Sequence, residues 1–184
     1  LKTINRRMNE SRLNLLIGGP GTGKSSTLEE LKKRGYPCFD EISREVTLQA
    51  QKEGIDQLFL KKPLLFSQKL LEGRIFQHQK AKSLNKTCYI DRGIPDITAY
   101  MDFFNESYPK EFTIANQKHI YDQVFYFPIW EHIYQQDNER YEDLEQAKKI
   151  DQQLLKTYTG LGYSIIEVPK TSINERIKFI TQHN

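Results

Sequence analysis

The feature that most restricts what this chain can fold into is Gly18-Gly19-Pro20-Gly21-Thr22-Gly23-Lys24-Ser25, set between an apolar run ending at Ile17 and a helical pattern starting near Lys24. It fits G-x-x-x-x-G-K-[ST] at every fixed position. A strand has to run into a turn almost free of bulky side chains, so that successive backbone N–H groups can point inward around phosphate oxygens. The helix that follows, near Lys24 to Arg34, presents its unpaired N-terminal donors to the same anion. Lys24 can reach the β- and γ-phosphates of a triphosphate, and the Ser25 hydroxyl can complete the shell of a Mg²⁺ ion. The residues expected around the nucleotide are therefore Gly18, Gly19, Pro20, Gly21, Thr22, Gly23, Lys24, Ser25 and Ser26.

The rest of the chain continues the alternation. The strand before the loop is expected over Arg12–Ile17. Further short apolar runs lie at Tyr36–Phe39, Thr87–Ile90, Val124–Phe127 and Tyr163–Val168. Helical spacing fills the intervals: from Ile42 through Leu48, from Pro63 through Ile75, from Pro95 to Phe104, from Glu111 to Tyr121, from Leu144 to Leu161 and from Ile173 to Ile180. Strands separated by helices predict an α/β fold, with helices covering both faces of a mostly parallel sheet. Ligands of such a sheet lie at the carboxyl ends of its strands. No linker, repeat or low-complexity tract interrupts the pattern, so one domain over residues 1–184 is expected.

Composition enters mainly through what it excludes. A chain of 184 residues with 38% hydrophobic content can bury one substantial core. The formal charge of +3 is dispersed rather than gathered in a tract, and a polyanionic ligand accounts for it; no nucleic-acid partner is expected. No apolar run is long enough to span a bilayer, so membrane insertion is not expected either. Leu1 to Arg12 is polar and lacks the apolar centre of a signal peptide, which makes a cytoplasmic location the default. Cys38 and Cys88 are too far apart in sequence to suggest a disulfide framework or a metal cluster, and both read as buried thiols. His78, His119, His132 and His183 show no ligand spacing and read as surface histidines.

Polar residues gather at the predicted strand ends. Asp91 follows Cys88-Tyr89-Ile90, where a second carboxylate can organise Mg²⁺ or one of its waters; capping the next helix is the plainer role. Arg92 offers a five-donor fork for a substrate phosphate or carboxylate, or for a structural ion pair. Glu41 and Arg44, three apart on a predicted helix, share a face. Glu41 can accept a proton from a hydroxyl while Arg44 holds an anionic part of the acceptor, or the two can pair as a surface bridge. Asp40 is an equal candidate if the helix begins one residue later. Arg140 lies in a charged segment between the fourth strand and a long helix, where an arginine on a lid near 129–142 can neutralise a moving phosphoryl group. Trp130 is expected to anchor that lid by packing. Lys170, beyond the fifth strand, lies near where a base could sit.

These segments resemble a known family. GGPGTGKSS at Gly18 to Ser26, DEISRE at Asp40 to Glu45, DRGIPDITAY at Asp91 to Tyr100, VFYFPIWEHIYQQDNERYE at Val124 to Glu142 and IIEVPK at Ile165 to Lys170 are similar to the NadR/Ttd14-like AAA domains, small P-loop proteins related to nucleoside and nucleotide kinases. The resemblance covers nearly the whole chain. It implies a three-layer kinase-like fold with strand order 2-3-1-4-5, and binding of Mg²⁺ with ATP or GTP at Gly18, Gly23, Lys24 and Ser25. It further implies Asp91 as the metal-side carboxylate, Arg92 as the substrate-facing arginine, Glu41 as the acceptor-facing acid and Arg140 as the lid arginine.

The expected function is Mg²⁺-dependent phosphoryl transfer from ATP to a small nucleoside-, nucleotide- or hydroxyl-bearing acceptor. Lys24, Asp40, Glu41, Asp91, Arg92 and Arg140 would carry catalysis, Glu41, Arg44 and Arg92 would bind the acceptor, and Ser25 and Asp91 would hold the metal. The alternative is an ATP- or GTP-dependent switch with slow hydrolysis and a macromolecular partner. A hydrolase whose acceptor is water is the third reading.

Overall fold

In the computed structural model, β1 (Leu13–Ile17) is entirely buried and lies at the centre of a five-stranded sheet. The structure describes residues 11–19, 21–131 and 144–183. The other strands are β2 (Cys38–Phe39), β3 (Cys88–Asp91), β4 (Gln123–Tyr126) and β5 (Ile165–Glu167), in the order β2-β3-β1-β4-β5. Every pairing is parallel. The strand order and sheet type implied by the family resemblance are those found.

Helices α1 (Lys24–Lys33), α2 (Ser43–Lys52), α3 (Leu58–Lys61), α4 (Pro63–Ser83), α5 (Ile94–Phe103), α6 (Lys110–Lys118), α7 (Leu144–Gly160) and α8 (Ile173–Gln182) fill the connections. The period-two alternation of β1 decides which of them lies where. Leu13, Leu15 and Ile17 pack with residues of α4, α5 and α7, including Ala81, Ala99, Ile150, Leu154 and Tyr158. Leu16, on the opposite face, packs with Leu28 and Leu31 of α1 and with Ile177 and Ile180 of α8. A third cluster joins α4, α5 and α6 through Leu70, Leu71, Ile97 and Phe112. The result is three layers, helix–sheet–helix.

Several boundaries move. Helix α2 starts at Ser43, so Glu41 stands before the helix, and the shared helical face expected for Glu41 and Arg44 does not exist. The helix is displaced because Glu41 Oε1 accepts the Ser43 N–H at 3.0 Å, a local side-chain bond that occupies one of its first-turn donors. The single-turn helix α3 has no counterpart in the sequence reading. His78 is buried rather than exposed, with its ring stacked edge-to-face on His119 and Tyr121. Cys88 is buried as expected, Cys38 is partly buried, and both thiols are free. No helix among the described residues is long and apolar enough to cross a membrane.

Candidate functional site

The carboxyl ends of β2, β3 and β1 bring three sequence segments together. In register, Leu16 of β1 lies beside Asp91, the last residue of β3, and Phe39 of β2 lies beside Ile90. The loop after β1 therefore sits directly against Asp91 and Arg92, with Glu41 arriving from the next strand over. Parallel pairing makes this possible, since all the strands end on the same edge.

The loop conformation is one that only glycine accepts easily. Gly18, Gly21 and Gly23 have φ of +135°, +71° and +87°. A Cβ on Gly18 would also overlap the carbonyl oxygen of Phe127, so this position forbids a side chain on two grounds. Lys24 folds back over the loop. Its Nζ donates to the carbonyls of Gly18 (2.9 Å) and Gly19 (2.7 Å), and lies 3.3 Å from the Thr22 hydroxyl. Burial lowers its pKa to about 8, partly offset by Asp91, the carboxylate that acts on it most strongly. Thr22 is buried and donates to Gly19 O, whereas Ser25 and Ser26 are exposed on the first turn of α1.

Asp91 is 4% exposed, and its Oδ1 is buried with no hydrogen-bond partner among the described residues. Burial pushes its pKa up against the pull of Lys24 and Arg92. A buried carboxylate oxygen left unsatisfied beside a phosphate-loop lysine is suited to a cation or to a water of its shell. The donor chemistry of Asp91 and Ser25, all oxygen, fits Mg²⁺.

Arg92 departs from ordinary backbone geometry, with φ +65° for a non-glycine residue. Its N–H reaches Leu16 O at 3.0 Å, which ties the turn to β1. The guanidinium is 2.9 Å from Glu41 Oε2 through Nε and donates from Nη1 to Tyr100 Oη at 3.0 Å. Glu41 is also held by Arg74 of α4, whose Nη2 lies 2.9 and 3.0 Å from its two oxygens. Burial raises the Glu41 pKa, but Arg74 and Arg92 outweigh it and the net shift is downward. The same Arg74 donates to Gly93 O at 2.8 Å, so one guanidinium links the segments after β2 and β3.

Asp40 is exposed and paired with Lys32 at 2.7 Å. Arg44 is exposed on the first turn of α2. Pro20, Arg140 and most of the expected lid lie outside the described residues. Lys170 lines an open cleft with Ile129, Trp130, Glu131 and Lys148. Trp130 is packed against Arg176 of α8, whose guanidinium carbon lies 5.1 Å from the ring centroid. Arg176 in turn donates to Thr22 O at 3.0 Å, so the cleft borders the phosphate loop.

Four residues of this region have no place in the sequence reading: Arg74, Asp96, Asp151 and Arg176. Asp96, 1% exposed, accepts the Gly93 N–H at 2.8 Å and the Tyr158 hydroxyl at 2.5 Å, fixing the start of α5. Asp151 of α7 accepts the Gly19 N–H at 3.0 Å. A signal was present in the periodicity. Arg74 is spaced four from Leu70 and three from Leu71, and Asp151 four from Ala147 and three from Leu154, so each places a charge on the buried stripe of its helix.

The fold and the strand–loop–helix at its centre define a P-loop kinase-like α/β protein. The chain belongs to a family described as an AAA domain, whose model matches residues 14–176. Among solved structures it is similar to deoxyadenosine kinase from M. mycoides, at 18% identity over 93% of this chain and 97% of that one, with a TM-score of 0.67. Thymidylate kinase from Candida albicans is similar at 16% identity over 95% and 91%, with a TM-score of 0.64. A NadR protein in complex with NR gives 17% identity and a TM-score of 0.68 over 94% of this chain, but only 51% of that chain is covered. At these identities the likeness is one of fold. No curated protein sequence matches the chain.

Proposed function

We propose that the protein is a Mg²⁺-dependent phosphotransferase that moves the γ-phosphoryl group of ATP, or of GTP, to a small nucleoside-, nucleotide- or hydroxyl-bearing acceptor. The observation that carries this reading is the position of Asp91. Its Oδ1 is buried without a hydrogen-bond partner among the described residues, and Lys24, Arg92 and Glu41 all act electrostatically on its carboxylate.

In this reading the triphosphate lies along the loop that includes Pro20, with the amides of Gly21 to Ser25 and the first turn of α1 around it. Lys24 exchanges a loop carbonyl for a phosphate oxygen and stabilises charge on the transferring group. Ser25 and Asp91 would hold Mg²⁺, which when bound would supply neutralisation of the negative charge on the terminal phosphates. Glu41 orients the acceptor hydroxyl. Because two guanidinium groups hold its pKa down, Glu41 is a weak base, and it suits a loose transition state in which the hydroxyl proton leaves late. Arg92, with Arg44 and Arg140, holds anionic parts of the acceptor and the phosphoryl group. The exposed Asp40 leaves Glu41 as the acceptor-side acid. The cleft at Trp130 and Lys170 takes the base, by stacking.

Purified protein supplied with Mg²⁺ and ATP, then with GTP, should release the diphosphate only when an acceptor is added from a panel of nucleosides, nucleotides and small alcohols. No acceptor-dependent turnover across that panel would overturn the proposal. Acceptor-independent phosphate release would instead favour a hydrolase.

A further inference from the structure

The peptide joining Gly18 to Gly19 is flanked by glycine on both sides, so side-chain sterics do little to set its direction. Both of its polar groups are nevertheless bound by titratable side chains from different elements. The Gly19 N–H donates to Asp151 Oδ1 at 3.0 Å, and the Gly18 carbonyl accepts from Lys24 Nζ at 2.9 Å. The peptide is trans, so these two groups point in opposite directions. Its dipole therefore lies between a carboxylate and an ammonium.

From these contacts we infer that Asp151 is a positioning residue of the nucleotide site, clamping the Gly18–Gly19 peptide from its N–H side so that its carbonyl stays aimed at Lys24. The inference rests on the nucleotide-binding reading above. Asp151 is itself held in place. It is 5% exposed, and its second oxygen accepts the hydroxyl of Tyr126, on β4. Swinging the carboxylate away would orphan two buried donors at once.

The surroundings argue that the contact serves the loop rather than helix packing. Burial pushes the Asp151 pKa up, so the fold bears a desolvation penalty to keep a carboxyl group here. An apolar residue between Ile150 and Leu154 would pack α7 without that penalty. The loop also lies in ordinary van der Waals contact with α7 at this point. A Cβ on Gly19 would lie 3.7 Å from Asp151 Oδ1 and 3.8 Å from Ile129 Cγ1. Asp151 thus passes the register of α7 to the loop, and through it to Lys24.

The test is MgATP binding by titration calorimetry on the full chain, with thermal melting in parallel. Asp151→Ala should weaken binding by about tenfold or more while keeping a folded, cooperative melt. Asp151→Asn should stay within about threefold, because its amide oxygen still accepts the Gly19 N–H and the Tyr126 hydroxyl can turn to accept from its NH₂. Wild-type affinity in Asp151→Ala overturns the inference, and so does an Asn variant as weak as the Ala variant. If Asp151→Ala does not fold, Tyr126→Phe decides instead. A loss of about threefold is expected from freeing the second oxygen, and unchanged affinity overturns the inference. A wild-type protein that binds no MgATP brings down the nucleotide reading itself, an outcome distinct from any difference among Asp151 variants.

Discussion

Glu41 and Arg92 pair beyond the carboxyl ends of two neighbouring strands, with 2.9 Å between Oε2 and Nε, and Arg74 grips the same carboxylate from α4. Arg74 is the more deeply buried of the two arginines, its side chain 4% exposed against 15% for Arg92. The pair that faces the site is thus supported by a cation that does not.

Replacing Arg74 by Met should leave Glu41 with one counter-charge and Gly93 O with one donor fewer. Breaking a buried ion pair from one side destabilises by about 3 kcal/mol. Urea denaturation should show a loss of that order, and the double variant Arg74→Met/Glu41→Gln should recover part of it. A loss below about 1 kcal/mol would mean that Arg92 alone satisfies Glu41.

Asp91 should behave in the opposite sense. Its folded-state pKa is raised above the ordinary carboxylate value, so the folded protein binds the proton more tightly than the unfolded chain. Stability is then highest below the ordinary value, falls as pH rises through the window between the two pKa values, and stays reduced above it. At neutral pH Asp91→Asn should melt a few degrees higher than wild type while losing Mg²⁺-dependent nucleotide binding. A lower melting temperature in that variant would contradict the desolvation argument.

Lys24 should take up protons when a triphosphate binds. With a pKa of about 8 it is partly neutral in mildly alkaline solution, and a phosphate anion beside it raises that value. Calorimetry near pH 8 in buffers of different ionisation enthalpy should show uptake of about half a proton, fading toward pH 6. The same experiment on Lys24→Met should show none of this uptake, together with much weaker binding. Uptake that persists in Lys24→Met would assign the proton to another group.

Trp130 is the only tryptophan of the chain and lines the cleft with Lys170. A base stacking there should change its emission saturably as MgATP is added, and Lys24→Ala should shift that curve to much higher concentration. Emission unchanged at saturating MgATP, with binding verified by calorimetry, would place the base outside this cleft.

The legible parts of this protein were those written in local pattern. Leu13 to Ile17 reads as a buried strand because every residue but Asn14 is apolar, and the glycines after it permit the turn whose φ values are found. The places where local pattern misled are instructive. Helical spacing puts Glu41 and Arg44 on one face, yet Glu41 lies before the helix and binds Arg74, thirty-three positions away. His78 sits in a run of glutamine and lysine that looks like a solvated face, yet it is buried against the rings of His119 and Tyr121. Neither partner could be named from spacing, because each lies on an element brought in by the sheet order.

By itself the sequence determined the alternation of strands and helices, the glycine-rich turn and the charged residues at strand ends, since these follow from side-chain volume, backbone freedom and periodicity along one segment. Only the tertiary structure decided that Arg74 would share Glu41 with Arg92, that Asp40 would turn to Lys32, and that Asp151 and Lys24 would grip one peptide from opposite sides. The physical reason is that a buried charge takes its partner from whatever residue the packing brings within reach, and that residue can lie more than a hundred positions away in the chain.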